Sequence, residues 1–212
     1  MAVTRVVAIR HGETAWNAEA RLQGQLDIPL NPRGHAQAAT LGEALRDEGL
    51  AAVYSSDLSR AWQTAQALAG ALGLPLAAEP GLRERSFGML EGLTYQEIDR
   101  DWPALARRWR SRNPDFAPQG GESLASFQSR CVAAASRLAA AHAGQAIALV
   151  CHGGVLDCLY RAASRVALDA PRTWELRNAG INRLLCTPQG FMLVGWNDAA
   201  HLDGLALDET GG

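Results

Sequence analysis

A three-layer α/β/α sandwich, built on a mostly parallel sheet with one antiparallel edge strand, is the fold this sequence predicts. Short apolar runs of β type occur at 6–9, 52–54, 74–77 and 147–150, each too short for a helix and bounded by turn or polar residues. Longer segments of helical period lie between them, and such alternation implies parallel strands joined by right-handed crossovers with helices on both faces. Near the C-terminus, runs at 182–187 and 191–196 are separated by Pro188, Gln189 and Gly190. That spacing is a hairpin signal and supplies the antiparallel edge.

Taken in order, the first strand ends in Arg10 and His11, after too few apolar residues for a secretory leader. The next helix spans 57–72, with Leu58, Ala61, Ala65, Leu68 and Leu72 at three-to-four spacing, Asp57 as its cap and Gly73 as its end. Trp62 is assigned to the core. The segment 85–121, rich in Arg, Trp, Pro and Gly, fits the alternation least and reads as a small helical, lid-like insertion over the site. Within it, Thr94 and Glu97 match a capping box. A long helix over 122–142 follows, with Leu124, Phe127, Cys131, Ala134 and Leu138 on one stripe and Gly144 closing it. No repeat or linker divides the chain, so 1–212 is expected to be a single domain.

Composition narrows the classes of function. The chain has 212 residues, 48% hydrophobic and 20% charged, the balance of an ordinary globular protein. A formal net charge of −2 provides no global basic field, so neither nucleic acid nor membrane is an expected partner and any anion site must be local. All 20 basic residues counted as Lys or Arg are arginine. No stretch reaches the roughly 18 apolar residues that span a bilayer. Cys131, Cys151, Cys158 and Cys186 show no CxxC spacing and sit in apolar contexts, which points to reduced, buried thiols and a cytoplasmic setting. No carboxylate cluster or HExxH spacing suggests a metal, and no cofactor is expected.

In an open α/β sheet ligands bind beyond the carboxyl ends of the strands, so the residues just after each strand carry the chemistry. They share a theme: Arg10, His11 and Gly12 after the first run, 55–60 after the second, Arg83 and Glu84 after the third, and Cys151, His152 and Gly153 after the fourth. Two arginines, two histidines and one carboxylate should converge. Phosphoryl transfer without a metal needs such a set, because negative charge spread over three equatorial oxygens must meet positioned donors. Arginine grips phosphate oxygens bidentately, and a neutral imidazole can attack phosphorus. Gly12 would allow close approach of substrate, and the amides at Gly153 and Gly154 would favour an anion.

Together RHGETAWN, SSDLSRAWQTA, LRERSFGMLEG and CHGGVL resemble the histidine phosphatase superfamily, the phosphoglycerate mutase-like enzymes, across most of the chain. The closing HLDGLALDE resembles the tail of small bacterial phosphatases in that group. The resemblance implies that His11 is the nucleophile, that Arg10, Arg60 and His152 form the phosphate pocket, and that Glu84 donates and then accepts the proton. Glu91 is a rival for that last role. It further implies substrate contacts from Thr14, Asn17, Gln23, Gly24 and Gly153. The expected activity is a metal-independent phosphomonoesterase acting on a small phosphorylated metabolite. A cofactor-dependent phosphoglycerate mutase and a non-catalytic phosphate-binding protein are the alternatives, and a homodimer is left open. The basic run 107–112 is either a lid that meets a second anionic group or a solvated helical face.

Overall fold

A computed structural model describes residues 3–206. The chain begins with β1 (Thr4–Arg10), a single-turn helix α1 (Ala15–Ala18) and α2 (Pro32–Ala44). Next come β2 (Leu50–Ser55), α3 (Ser59–Leu72) and β3 (Leu76–Ala78). Segment 85–121 contains α4 (Tyr95–Asp101) and α5 (Pro103–Arg110). Then follow α6 (Leu124–Ala141), β4 (Ala146–Cys151), α7 (Gly153–Ser164), β5 (Ile181–Thr187) and β6 (Gly190–Asp198).

These strands form one six-stranded sheet in the order β3-β2-β4-β1-β5-β6. Neighbours from β3 to β1 are parallel, whereas β5 runs antiparallel to both β1 and β6. The expected hairpin therefore supplies two strands: the reversed one docks on β1 and β6 forms the outer edge.

Period-two alternation in the central strands builds two apolar layers. Val6, Ala8, Ile147, Leu149 and Cys151 face α6 and α7, meeting Phe127, Leu138, Val155 and Leu159. Val7, Ile9, Ala148 and Val150 face α2 and α3, meeting Leu41, Ala61, Ala65 and Leu68. A third, smaller cluster of Leu22, Leu90, Ile98 and Ala106 gives segment 85–121 its own apolar centre.

Local expectations meet mixed outcomes. Gly73 ends α3 in the left-handed conformation at φ 63°, and Thr94 and Glu97 form the capping box of α4. Asp57 does not cap α3. Its carboxylate instead accepts from Arg83 Nε at 2.7 Å, and the helix start is held by Asp27, which accepts from the Ser59 amide at 2.7 Å. The pull of a guanidinium 26 positions away outweighs a cap that any nearby acid can supply. Ser123 caps α6, which starts at Leu124, two residues inside the expected span. Trp62 is only half-buried, because it sits on the flank of α3, away from the stripe of Ala61, Ala65 and Leu68. Cys131, Cys151 and Cys158 are free and buried, while Cys186 is free and half-buried. The tail resemblance HLDGLALDE begins in a 3₁₀ turn at Ala200–Ala206 and its remainder lies outside the described residues.

Leu149 is fully buried at the centre of the sheet. Leu149→Ala is expected to cost about 2–5 kcal/mol of unfolding free energy in urea titrations. A loss below about 1 kcal/mol would contradict the packing described.

Candidate functional site

Strand register creates the site. In the parallel pairing of β1 with β4, Arg10 lies opposite Cys151, so His11 and His152 leave the sheet at the same level. The His11 amide donates to the Cys151 carbonyl at 2.9 Å, and the two imidazole rings stand 5.2 Å apart at 58°. On the other side of β4, the Ser56 amide donates to the Val150 carbonyl at 3.0 Å, which brings the end of β2 to the same edge.

His11 Nδ1 lies 2.6 Å from the Gly12 carbonyl oxygen. Since a carbonyl only accepts, Nδ1 carries the proton and Nε2 keeps its lone pair. His152 Nε2 lies 2.9 Å from Ser56 Oγ, which already accepts from the Leu58 amide. The Ser56 hydroxyl can donate to His152 Nε2, and in that arrangement the imidazole proton sits on Nδ1.

Both guanidinium groups are anchored by backbone carbonyls. Arg10 donates to Leu176 at 2.5 Å, and Arg60, on the first turn of α3, donates to Gly24 at 2.7 Å and Leu26 at 2.9 Å. Arg10 Nε, Arg60 Nε and His152 Nδ1 are buried and have no acceptor among the described residues. Burial lowers the pKa of Arg10 and brings that of Arg60 down to about 10, leaving both charged at neutral pH. Burial first, then the charges of Arg60 and Arg10, holds His11 well below the usual imidazole value. For His152 burial again leads, followed by Arg60, His11 and Arg10.

Glu84 comes off β3 after a 3₁₀ turn at Pro80–Leu82. Its carboxylate accepts from the Arg85 amide at 2.8 Å and the Gly154 amide at 2.9 Å, so it occupies the N-terminus of α7. A Cβ at Gly154 would lie 2.2 Å from Glu84 Oε1, so any side chain there would push the carboxylate from its place. The α7 amide expected to serve an anionic ligand is therefore engaged by this side chain. Gly153 has ordinary room, with Arg10 Nε 3.6 Å from such a Cβ. Gly12 is constrained by packing, because a Cβ there would sit 2.4 Å from the Gly34 carbonyl oxygen.

A cleft of about 830 Å³ opens over these strand ends and is lined by Arg10, His11, Arg60, Glu84 and Gly153. Asn17, Gln23 and Gly24 line it too. Asn17 Oδ1 is occupied by Thr14, whose amide and hydroxyl lie 3.1 Å away. Thr14 is fully buried, caps α1 and does not reach the cleft wall. Glu91 does not line the cleft; its Oε1 accepts from the amides of Gln25 at 3.1 Å and Phe87 at 2.9 Å and braces two loops. The basic run 107–112 divides. Arg112 and Trp109 line the cleft, whereas Arg107, Arg108 and Arg110 are exposed.

Several contributors lay outside the sequence reading. Ser56 orients His152. Asn178 Nδ2 donates to the carbonyls of His11 at 3.0 Å and Gly12 at 3.2 Å. Arg130 on α6 donates to the carbonyls of Gly81 and Arg83, each at 3.0 Å, and fixes the approach to Glu84. Asn178 precedes an antiparallel strand whose start lies beside the ends of the parallel ones, a place that a search after strand ends overlooks. Among the described residues no group of three or more His, Cys, Asp or Glu is placed to hold a metal, and no helix is long and apolar enough to cross a membrane.

A family model described as the histidine phosphatase superfamily (branch 1) matches residues 6–199. The chain is 38% identical to phosphoglycerate mutase-like protein 4 of Arabidopsis thaliana, over 97% of its own length and 90% of that protein. It is 36% identical to the metal-independent phosphoserine phosphatase of the same plant, over 99% and 87%. A mycobacterial glucosyl-3-phosphoglycerate phosphatase solved in complex with VO3 superposes with a TM-score of 0.83 at 32% identity, covering 92% of this chain and 99% of that one. With four motifs in order, their side chains meeting at one edge of the sheet, and a model match across nearly the whole length, the chain belongs to the histidine phosphatase superfamily.

Proposed function

We propose that the protein is a metal-independent phosphomonoesterase that takes a phosphoryl group from a small phosphorylated metabolite onto His11 and passes it to water. One observation carries this reading: beside an imidazole with its lone pair on Nε2 stand three buried N–H donors, on Arg10, Arg60 and His152, that no protein acceptor meets. Unmet donors of that kind each cost about 1–3 kcal/mol. A phosphoryl group with three equatorial oxygens matches them in number and charge.

In the first step His11 Nε2 attacks phosphorus, the bond to the leaving oxygen breaks, and Glu84 in its acid form gives that oxygen a proton. In the second, water attacks the phosphohistidine, its proton goes to the Glu84 carboxylate, and the N–P electron pair returns to Nε2. Arg10, Arg60 and His152 Nδ1 hold the transferring oxygens in both steps. Asn17 adds its amide nitrogen, since its oxygen is already occupied, while Gln23, Gly24 and Gly153 form the wall around the leaving group. Segment 85–121 serves as the lid-like insertion of a single domain. Phosphoserine and glucosyl-3-phosphoglycerate, named for the relatives, illustrate the class of substrate. A phosphoglycerate mutase must shield its phosphohistidine from water, and a broad cleft lined by charged side chains does not favour that alternative.

Acid-labile radiolabelled phosphate is expected on the wild-type chain within one turnover and absent from His11→Ala; label that persists in the variant sinks the assignment of His11. Removing the hydroxyl that orients His152 leaves a buried nitrogen unpaired, so Ser56→Ala should lower kcat about 5- to 150-fold, with Ser56→Thr restoring part of the loss. An unchanged kcat would remove Ser56 from the account.

The depressed pKa values of His11 and His152 also have a sign in stability. In the unfolded chain each takes up a proton below about pH 6.5, whereas the folded protein keeps both neutral, so stability falls as pH drops from there toward the lowered folded values. Each contributes a slope of up to about 1.4 kcal/mol per pH unit. Denaturation at pH 7.5 and 5.5 should show His152→Asn losing less stability over that interval than wild type; equal losses contradict the burial argument.

A further inference from the structure

Among the described residues, seven arginines and three carboxylates line the cleft. Most of the outer arginines are already committed. Arg21 donates to the Gly92 carbonyl at 2.9 Å and pairs with Glu97 at 3.3 Å, and Arg85 donates to the carbonyls of Glu122 at 2.8 Å and Phe116 at 3.0 Å. Arg112, the member of the basic run that faces the cleft, is tied to Asp157 and the Leu168 carbonyl, each at 3.0 Å, and Arg177 pairs with Glu175 at 3.2 Å. Arg172 is different. It lies on the loop between α7 and β5, is exposed along the cleft wall, and makes no hydrogen bond or ion pair among the described residues.

It lines the same cleft as Arg10, His11 and Tyr95. The charge of Arg172 acts on Arg10, whose pKa it helps to lower, and on the Tyr95 phenol, which it favours in ionised form against burial. Charge balance then exposes a surplus. A phosphate dianion offsets Arg10 and Arg60, the carboxylates of Asp157 and Glu175 are held by other arginines, and Glu84 spends part of the cycle protonated. Arg85, also without a carboxylate partner, is buried and tied to carbonyls, so Arg172 is the exposed guanidinium of the cleft with no counter-charge among the described residues.

Resting on the phosphomonoesterase reading, we propose that Arg172 is a specificity-determining residue that selects phosphomonoesters whose leaving group carries a second anion, a carboxylate or another phosphate. Guanidinium forks recognise both groups by charge-assisted hydrogen bonds. An exposed cation unmet by acceptors among the described residues breaks no existing contact to meet such a group. The run 107–112 does not take this part, because its one cleft-facing cation is already paired.

Competition against p-nitrophenyl phosphate hydrolysis tests the proposal through inhibition constants. The first pair of probes is 3-phosphoglycerate and glycerol 3-phosphate, equal in carbon number and differing in the carboxylate; the second is fructose 1,6-bisphosphate and fructose 6-phosphate. In wild type at least one pair should show the doubly anionic member binding about tenfold tighter, the scale of one added charge-assisted contact. Arg172→Gln should remove most of that gap, Arg172→Lys should retain part of it, and Arg107→Gln, on the outward face of α5, should leave it intact. A gap in the first pair assigns a carboxylate to the site, and one in the second assigns a phosphate. No gap in wild type, or a gap that survives Arg172→Gln, overturns the inference. Failure of wild type to hydrolyse p-nitrophenyl phosphate at all would instead overturn the phosphomonoesterase reading on which it rests.

Discussion

Parallel pairing of β1 with β4 is the constraint from which the site follows. These strands are more than a hundred residues apart in sequence, yet the register that sets Arg10 against Cys151 leaves no choice about where His11 and His152 emerge. A slip of one residue would turn every side chain of β1 to the opposite layer, sending Val6 and Ala8 away from α6 and Val7 and Ile9 away from α3. Apolar patterning of the core thereby fixes the separation of two polar rings at its edge. Precision at the site is inherited from packing, not from any contact between the two imidazoles.

Electrostatically the site combines two desolvated cations with two rings kept neutral by burial first and by the cations' field second. Each guanidinium is desolvated and part of its hydrogen-bonding capacity is met by carbonyls from loops, Leu176 for Arg10 and Gly24 with Leu26 for Arg60. Those carbonyls orient the groups without neutralising them, which a carboxylate partner would do. Positive potential is preserved for an anion, and the same potential keeps a proton off His11 and so maintains a nucleophilic nitrogen. Local instability and chemical competence have one cause here.

The layers, the positions of the first four strands along the chain and the gathering of polar residues at one sheet edge were legible because each depends on short-range pattern: alternation, helical period, and polar residues directly after apolar runs. Gly73 and the Thr94–Glu97 box were legible for the same reason. What escaped depends on contacts between distant segments. Asp57 has the composition of a cap and is taken by Arg83; Glu91 has the composition of a general acid and is taken by the amides of two loops. Thr14 is spent on its own helix turn. Asn178 and Arg172 were missed for a topological reason, since β5 runs backwards and contributes to the site through the residues that precede it.

The position of Glu84 illustrates how such dependence couples residues that no local rule connects. A helix N-terminus attracts anions, and the two glycines opening α7 suggest one supplied from outside. The structure gives the Gly154 amide to a side chain instead, and the 2.2 Å clearance that a Cβ would have there means that residue 154 and the carboxylate at 84 cannot be chosen independently. Arg130 reinforces the arrangement from α6 by holding the backbone at Gly81 and Arg83. Bound through both oxygens to rigid backbone donors, the carboxylate has little rotational freedom left to lose when a substrate arrives. Fixing the Glu84 carboxylate on a helix end, while Arg10, His11, Arg60 and His152 come from strand ends and a neighbouring helix, separates the placement of the carboxylate from that of the cations and imidazoles. A substitution at Arg172 can then alter which leaving group is favoured while the Leu176 and Asn178 contacts that hold the pocket stay in place.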